Sequence, residues 1–320
     1  MTAGGDIPLI DISDTDGLAS QVASACKDIG FMYITGHGIA AETVAAARQS
    51  TIDYFAQSAA RKLRDRITQD NYRGYIPMGF FNANTGGGTV DNYEGYKLHL
   101  EVAADDAICE ECDLYGPNKW PDQPTGFRDN LLKYWHECDR VTVVLLRAMA
   151  DALNLEATPF LSAFEKPLTN MTLLHYPPRL AGAAGFGIHP HKDTDVLTIL
   201  APDPVGGLMV RRRNGDDWIA AEPPDDGLVV NIGDLMELWS GGCFVSTPHK
   251  VDNTSGQERY SFPYFAVPRF DTVVAPLIPP QAGFERASVP VGDVSREVWR
   301  TNWPGTITRR PEYDLGTLAD

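Results

Sequence analysis

The apolar residues in the first half of the chain recur mainly at helical spacing. Leu18, Val22, Ala25 and Ile29 lie three or four residues apart and predict a helix over 17–29. The same periodicity predicts helices over 41–65 and 126–154, the latter being the longest such pattern in the chain. Short runs rich in β-branched and aromatic residues predict strands, and these runs are IPLIDI at 7–12 and FMYIT at 31–35.

The pattern changes after about residue 168. Short apolar runs then alternate with Gly, Pro, Asn and Asp, as in an antiparallel sandwich or barrel. The runs are MTLLHY, VLTIL, LMV, LVVNI, MELWS and SFPYFAV, and two of the predicted strands span 228–232 and 235–239. Segments 71–92 and 104–124 read as loops, and the chain ends in a helix from about 290 and an irregular tail. We therefore expect a helical N-terminal half packed on a β-rich C-terminal half.

Composition narrows the class of protein. The 320 residues are 43% hydrophobic and carry a net charge of -16. This charge repels a polyanion, and Arg211, Arg212 and Arg213 are the only compact basic cluster. No apolar run approaches the roughly 18 residues of a membrane span, and five cysteines are too few and odd in number for a disulfide framework. We expect a soluble cytoplasmic protein with neither nucleic acid nor membrane as a partner.

Candidate metal ligands occur in GIHPHKDTDVLTIL. His191 and Asp193 are two residues apart in an extended segment, so both side chains point to one face while Lys192 points away. His249 follows two further apolar runs, and closure of a barrel can bring it beside them. Two imidazoles and a carboxylate form the facial triad of non-haem Fe(II) sites and suit zinc less well. The alternative is a chance arrangement of scattered surface residues.

Arg259 and Ser261 strengthen the first interpretation. They follow His249 by ten and twelve residues and share one face of a strand. A guanidinium matches a carboxylate in shape and charge, and a hydroxyl adds a donor. Arg259 could instead pair with a surface acid, but its position just after the third ligand favours a site for the far carboxylate of a dicarboxylic acid.

The motifs together resemble the isopenicillin N synthase-like family of non-haem Fe(II)/2-oxoglutarate-dependent dioxygenases. The resemblance runs from Ile7 to about Pro268. Motifs in the family's order and spacing are IPLIDIS, DIGFMYITGHGI, YEGYKLHLE, DLYGPNKWP, TLLHYPP, HKDTDVLTIL, GGLMV, GLVVNIGDLMELWSGG, STPHKV and RYSFPYF.

This resemblance implies a mainly β fold with flanking helices, namely a double-stranded β-helix (jelly-roll) core behind an N-terminal helical region. The iron ligands would be His191, Asp193 and His249, and the R-x-S pair that binds 2-oxoglutarate would be Arg259 and Ser261. Tyr176 matches a position that often contacts the cosubstrate, although Leu174 stands where plant members often have Asn. Lys192 and Lys250 replace the family's frequent Thr and Arg.

The resemblance also implies an organisation and a reaction. Residues 1–125 would form the N-terminal region, 126–165 a support helix, 166–275 the catalytic jelly roll and 276–320 a tail near the pocket mouth. Fe(II), 2-oxoglutarate and O₂ would oxidise a small molecule, by default through hydroxylation but also by desaturation or cyclisation, with release of succinate and CO₂. The substrates typical of this family favour a natural-product intermediate or an amino-acid derivative.

Two alternatives stay open. Isopenicillin N synthase itself uses its R-x-S pair on the carboxylate of its peptide substrate and needs no 2-oxoglutarate. A non-catalytic jelly-roll module that binds a small ligand is the alternative of another class, but it has no need of all three ligands. Candidate substrate contacts, each with a structural role as the competing explanation, are Tyr75, Phe80, Phe81, Lys97, His189, Phe265 and Arg269.

Overall fold

Most strands of the chain belong to two sheets. A computed structural model describes residues 7–81, 91–180, 182, 184–211 and 217–303. The strands are β1 Leu9–Asp11, β2 Phe31–Thr35, β3 Gly74–Ile76, β4 Glu94–His99, β5 Asn170–Tyr176, β6 Ile188–His191, β7 Leu197–Leu200, β8 Leu208–Arg211, β9 Trp218–Ala220, β10 Leu228–Ile232, β11 His249–Val251, β12 Arg259–Ser261, β13 Tyr264–Ala266, β14 Val273–Val274 and β15 Val289–Pro290. The helices are α1 Leu18–Asp28, α2 Ala41–Phe55, α3 Ala59–Lys62, α4 Ile108–Glu111, α5 Phe127–Ala152, α6 Thr158–Ser162, α7 Asp234–Trp239 and α8 Val291–Asn302, with a 3-10 turn at Leu63–Asp65.

The larger sheet joins strands from both halves of the chain. Its nine strands run in the order β1-β2-β10-β7-β13-β5-β4-β3, and β12 pairs with β5 beside β13. The smaller sheet has four strands in the order β6-β11-β8-β9. The N-terminal strands therefore extend the same sheet that the C-terminal strands build, and β4 lies directly against β5.

The long helix α5 packs against one face of the larger sheet. Its apolar residues recur at helical spacing and are buried, from Phe127 through Leu131 and Val141 to Leu145. Helices α1 and α2 pack against α5, and Trp135 of α5 meets Tyr264 of β13 edge to face. The predicted helices over 17–29 and 126–154 and the strand over 31–35 are thus confirmed. None of the helices in the described ranges has the length and apolar character needed to cross a membrane.

The strand predicted over 235–239 is wrong, because this segment forms helix α7. Every residue of α7 is buried, including the acids Asp234 and Glu237, and the helix is only six residues long. A short apolar run of this kind looks the same in a buried strand. The difference matters because the turn into α7 places the amide of Asp234 2.8 Å from the carbonyl oxygen of Asp193.

Three other boundaries also differ from the prediction. The helix expected over 41–65 stops at Phe55, and Ser58 caps a separate short helix by accepting a hydrogen bond from the amide of Arg61. The segment 71–92 contains β3, and 104–124 contains α4. The helix expected from about 290 is confirmed as α8. Some predicted features lie outside the described residues, namely 304–320 of the tail, 82–90 of the loop, and Arg212 and Arg213 of the arginine cluster.

Candidate metal centre and active site

The two candidate histidine ligands are direct partners across the smaller sheet. His249 of β11 pairs with His191 at the end of β6, and their ring centroids lie 4.3 Å apart. Asp193 follows β6 by two residues, and its Oδ1 lies 3.8 Å from His191 Nε2 and 3.7 Å from His249 Nε2. One ligand atom from each of the three residues falls within 4.8 Å of the others.

Backbone carbonyls fix which nitrogen of each imidazole is available. His191 Nδ1 lies 2.7 Å from the carbonyl oxygen of His189, and His249 Nδ1 lies 3.2 Å from that of Thr247. A carbonyl only accepts, so Nδ1 carries the proton and donates in both cases. The unprotonated Nε2 atoms therefore face Asp193, which is the tautomer that a metal ligand requires.

Two polar side chains hold the carboxylate of Asp193. Thr198 Oγ1 lies 2.5 Å and Asn231 Nδ2 2.8 Å from Asp193 Oδ2, so Oδ1 alone remains for a metal. Burial opposes ionisation of Asp193, but the neighbouring His249 and His191 together with these hydrogen bonds lower its pKa. Asp193 is thus ionised, as a ligand must be.

The donor set fits Fe(II). Burial, with a smaller effect of His191, lowers the pKa of His249 to about 4, which keeps this imidazole neutral and its lone pair free. Two neutral imidazole nitrogens and one carboxylate oxygen on one side of an ion are the ligands of mononuclear non-haem iron oxygenases, in which the other positions stay open to reactants. No other cluster of this kind occurs within the described part of the chain.

A cavity of about 630 Å³ opens beside the candidate ligands His191 and Asp193. Its walls come from β4, β5, β6 and β13, while helix α8 covers one side through Val294, Val298 and Trp299. His191 and Asp193 belong to its lining. A volume of this size is typical of small-molecule sites.

Arg259 lies buried in the larger sheet beside this cavity. It pairs with Tyr176 across β12 and β5, its Nε donates to the carbonyl oxygen of Gly206 at 2.6 Å, and its guanidinium lies 4.7 Å from the centre of the Tyr176 ring. Its Nη1 is buried without a hydrogen-bond partner, and no carboxylate of the described residues pairs with it. Burial raises the pKa of Tyr176 to about 12, against the effect of Arg259, so the phenol keeps its proton.

Ser261 is also buried and pairs with Leu174, a residue of the cavity wall. Arg259, Ser261 and Tyr176 therefore lie together on the paired strands β12 and β5. None of the three lines the cavity, but Leu174, the partner of Ser261, does. A buried guanidinium with an unused donor fits a ligand carboxylate, and this is the group expected from the far end of 2-oxoglutarate.

The predicted substrate contacts divide into two groups. The structure places Phe81, Lys97, His189 and Phe265 in the wall of the cavity. The other three do not line it. Tyr75 donates to Glu94 at 2.5 Å on the opposite face of β4, Phe80 packs on Phe81 and Trp303, and Arg269 forms ion pairs with Glu111 and Asp271.

Several residues of the site were not anticipated from the sequence. Asp91 accepts hydrogen bonds from the amide and Nδ1 of His189, at 2.9 and 2.7 Å. Asn231 had a signal, because it is a polar residue within the apolar strand LVVNI. Val298 follows Val294 by four residues, which indicates an apolar face of α8, and Trp299 flanks this face at the cavity wall. Asp91 and Thr198 have no comparable signal.

Two family patterns match the chain. The 2OG-Fe(II) oxygenase superfamily matches residues 168–268, and the non-haem dioxygenase in morphine synthesis N-terminal region matches residues 7–123. A probable iron/ascorbate oxidoreductase of Dictyostelium discoideum is 32% identical over 303 residues, which cover 83% of this chain and 82% of the relative. A homoarginine-6-hydroxylase of Arabidopsis thaliana is 31% identical over 284 residues, with 83% and 82% covered.

Solved structures share the fold. A full-length Neurospora crassa protein crystallised in complex with alpha-KG superposes with a TM-score of 0.80 at 24% identity, covering 93% of this chain and 97% of that one. JOX2 in complex with 2OG, Fe and JA gives a TM-score of 0.78 at 25% identity, covering 94% and 87%. The jelly-roll core with flanking helices is thereby confirmed.

The chain belongs to the 2OG-Fe(II) oxygenase superfamily. It is a 2-oxoglutarate-dependent dioxygenase that uses Fe(II), 2-oxoglutarate and O₂ and acts on a small molecule. The oxidase and binding-module alternatives lack comparable support.

Proposed function

We propose that His191, Asp193 and His249 hold the iron, that Arg259, Ser261 and Tyr176 hold 2-oxoglutarate, and that the enzyme hydroxylates a small molecule bound in the cavity. The observation that carries the proposal is the convergence of two Nε2 atoms and Asp193 Oδ1 at the cavity wall. Bound Fe(II) supplies activation of O₂, coupled to oxidative decarboxylation of 2-oxoglutarate to succinate and CO₂.

The protein's own groups fix the ligand geometry. The carbonyls of His189 and Thr247 keep the protons of the two imidazoles on Nδ1, and Thr198 and Asn231 hold the second oxygen of Asp193. These four contacts orient the ligands before any ion binds. Preorganised ligands lose little freedom on binding, and such outer contacts typically change metal affinity by about 10- to 100-fold.

Arg259 would bind the distal carboxylate of the cosubstrate. Its guanidinium is fixed by Gly206 and by the Tyr176 ring, and its buried Nη1 has no other partner. The protonated Tyr176 phenol and the Ser261 hydroxyl are donors beside it. A carboxylate at this place compensates the buried charge, which water cannot reach.

Hydroxylation of a natural-product intermediate or an amino-acid derivative is the outcome we propose. Relatives named as homoarginine hydroxylases and a structural neighbour crystallised with JA support a small organic substrate. The net charge of -16 argues against a nucleic-acid substrate. We also propose the organisation predicted above, with residues 166–275 as the catalytic jelly roll, 126–165 as the support helix, 1–125 as the N-terminal region and 276–320 as a tail near the pocket mouth.

An anaerobic titration tests the assignment. Apo-protein receives Fe(II) and then 2-oxoglutarate, and the visible charge-transfer band of the chelate is recorded. The variant Arg259→Met should raise the Kd of 2-oxoglutarate by at least about tenfold, since a buried charge pair is lost. The matched variant Arg147→Met, at an exposed position of α5, should leave that Kd unchanged.

Two results would overturn the assignment. Equal 2-oxoglutarate affinity of the Arg259 and Arg147 variants would remove Arg259 from the cosubstrate site. Undiminished Fe(II) binding by a His249→Ala variant would show that the metal lies elsewhere.

A further inference from the structure

Lys97 projects from β4 into the cavity and is bound there by neutral groups. Its Nζ donates to Asn170 Oδ1 at 2.6 Å and to Thr172 Oγ1 at 2.9 Å. The ammonium also lies 5.3 Å from the centre of the Phe265 ring. An ammonium group has three donors, so one N–H remains for a ligand.

The charge of Lys97 has no acidic partner, in contrast to the other lysines inside the protein. Lys62 lies 2.7 Å from Glu94, and Lys192 lies 3.5 Å from Asp234. No carboxylate of the described residues comes within ion-pair distance of Lys97. Buried charges are normally paired, because taking an unpaired charge out of water costs several kcal/mol.

The protein groups around Lys97 disfavour its charged form. Burial lowers the pKa of Lys97 to about 7, and the more distant Asp193 and Asp195 compensate only in part. An anion next to Nζ would favour the ammonium again. The cavity thus provides a cationic group that becomes fully charged when an acid binds.

The other charged groups of the cavity wall are already engaged. Asp91 is bound to His189, and Lys192 is bound to Asp234. The remaining wall is mixed: Phe81, Leu235, Phe265, Val298 and Trp299 form an apolar and aromatic part, and uncharged polar residues such as Thr194, Ser295 and Asn302 complete it. A ligand that matches this surface has an apolar body and one negative group.

We propose that the substrate carries a carboxylate and that Lys97 binds it, so that the apolar body lies against Phe265 and Trp299 with one C–H bond turned toward the three ligands. Asn170 and Thr172 act as positioning residues for the ammonium. This inference rests on the proposed function and adds the substrate class and its anchor. The same chemistry could come from 2-oxoglutarate itself, and the experiment separates the two sources.

The test uses the enzyme loaded anaerobically with Fe(II) and 2-oxoglutarate, and calorimetry as the readout. The probes are phenylacetate, 3-phenylpropionate, 4-phenylbutyrate and indole-3-propionate, each compared with its own primary amide. The variants are Lys97→Met, the conservative Lys97→Arg, and Lys133→Met at an exposed position of α5 as the matched control.

We expect at least one acid to bind at least about tenfold more tightly than its amide to the wild type and to the Lys133 variant, as a hydrogen-bonded charge pair provides. Lys97→Met should abolish this preference and leave the amide affinity and the Kd of 2-oxoglutarate unchanged. Lys97→Arg should restore part of the preference. A variant that merely fails to fold would lose the chelate band as well, and Lys97→Arg then carries the test.

Three results would overturn the inference. The first is equal binding of every acid and its amide to the wild type, and the second is no binding of any acid at millimolar concentration. The third is a weaker Kd of 2-oxoglutarate in Lys97→Met, which would assign the lysine to the cosubstrate. Absence of the chelate band in the wild type would instead refute the proposed function.

Discussion

Thr198 is placed to control how firmly Asp193 can hold a metal. Its hydroxyl lies 2.5 Å from Asp193 Oδ2 and 2.8 Å from Asp195 Oδ2. A hydroxyl has one proton and can donate to only one of the two carboxylates. Burial, followed by the charge of Asp193, raises the pKa of Asp195 well above its usual value. Of the two carboxylates, Asp195 is therefore the one that more readily holds a proton, which leaves the Thr198 proton for Asp193.

The substitution Thr198→Val removes both hydrogen bonds at nearly constant volume. A hydrogen bond to a charged group contributes about 1.5–3 kcal/mol, and Asp193 Oδ2 would keep only Asn231 as a donor. Since about 1.4 kcal/mol corresponds to a tenfold change in affinity, we expect Fe(II) binding to weaken by about 10- to 100-fold. The carboxylate would turn and compete less well for the ion.

The assay is an anaerobic equilibrium titration with Fe(II), together with urea unfolding of the apo-protein. Thr51→Val is the matched control, because Thr51 is equally buried in α2 and donates to the carbonyl oxygen of Ala47 at 2.9 Å. It should alter stability without altering metal affinity. Unchanged Fe(II) affinity in Thr198→Val, or an equal loss in Thr51→Val, would refute the reasoning.

Three further predictions concern the scaffold around the site. Glu94→Gln leaves Lys62 buried without its acidic partner, and urea unfolding should show a loss of about 3–5 kcal/mol. Burial alone would lower the pKa of His175, but hydrogen bonds with Glu94 and Glu258 raise it above the ordinary value. The protonated His175 therefore stabilises the fold fully below about pH 6.5, and this stabilisation is lost as the pH rises through the pKa of the folded state. In His175→Gln, the free energy of unfolding measured against pH should no longer show this loss. Gly30 has a φ of 67°, and the Cβ of Gly30→Ala would lie 2.0 Å from the carbonyl oxygen of Val245 in the loop before β11. This variant should lower Tm by several degrees, and an unchanged Tm would contradict the described backbone.

The convergence of the three candidate ligands could be predicted because it follows from strand geometry. His191 and Asp193 share a face at the end of one strand, and β11 places His249 directly opposite His191. Helices α1 and α5 were equally accessible, since their apolar residues recur at helical spacing over three turns or more. Helix α7 was not, because it is only six residues long and fully buried, and a short run rich in apolar residues does not distinguish a helix from a strand.

The substrate-facing residues show a second kind of limit. Alternation along β4 and β5 tells which residues share a face, but only the pairing of strands tells which face meets the cavity. Lys97 aligns with Thr172 across β4 and β5, and both point inward, whereas Tyr75 and Glu94 meet on the other side. The partners of each charge then distinguish Lys97 from Arg269, which the sequence presents equally as candidate substrate contacts. Arg269 is neutralised by acids at the surface, while Lys97 has only neutral partners inside the cavity, so Lys97 is the one placed to select an acidic ligand.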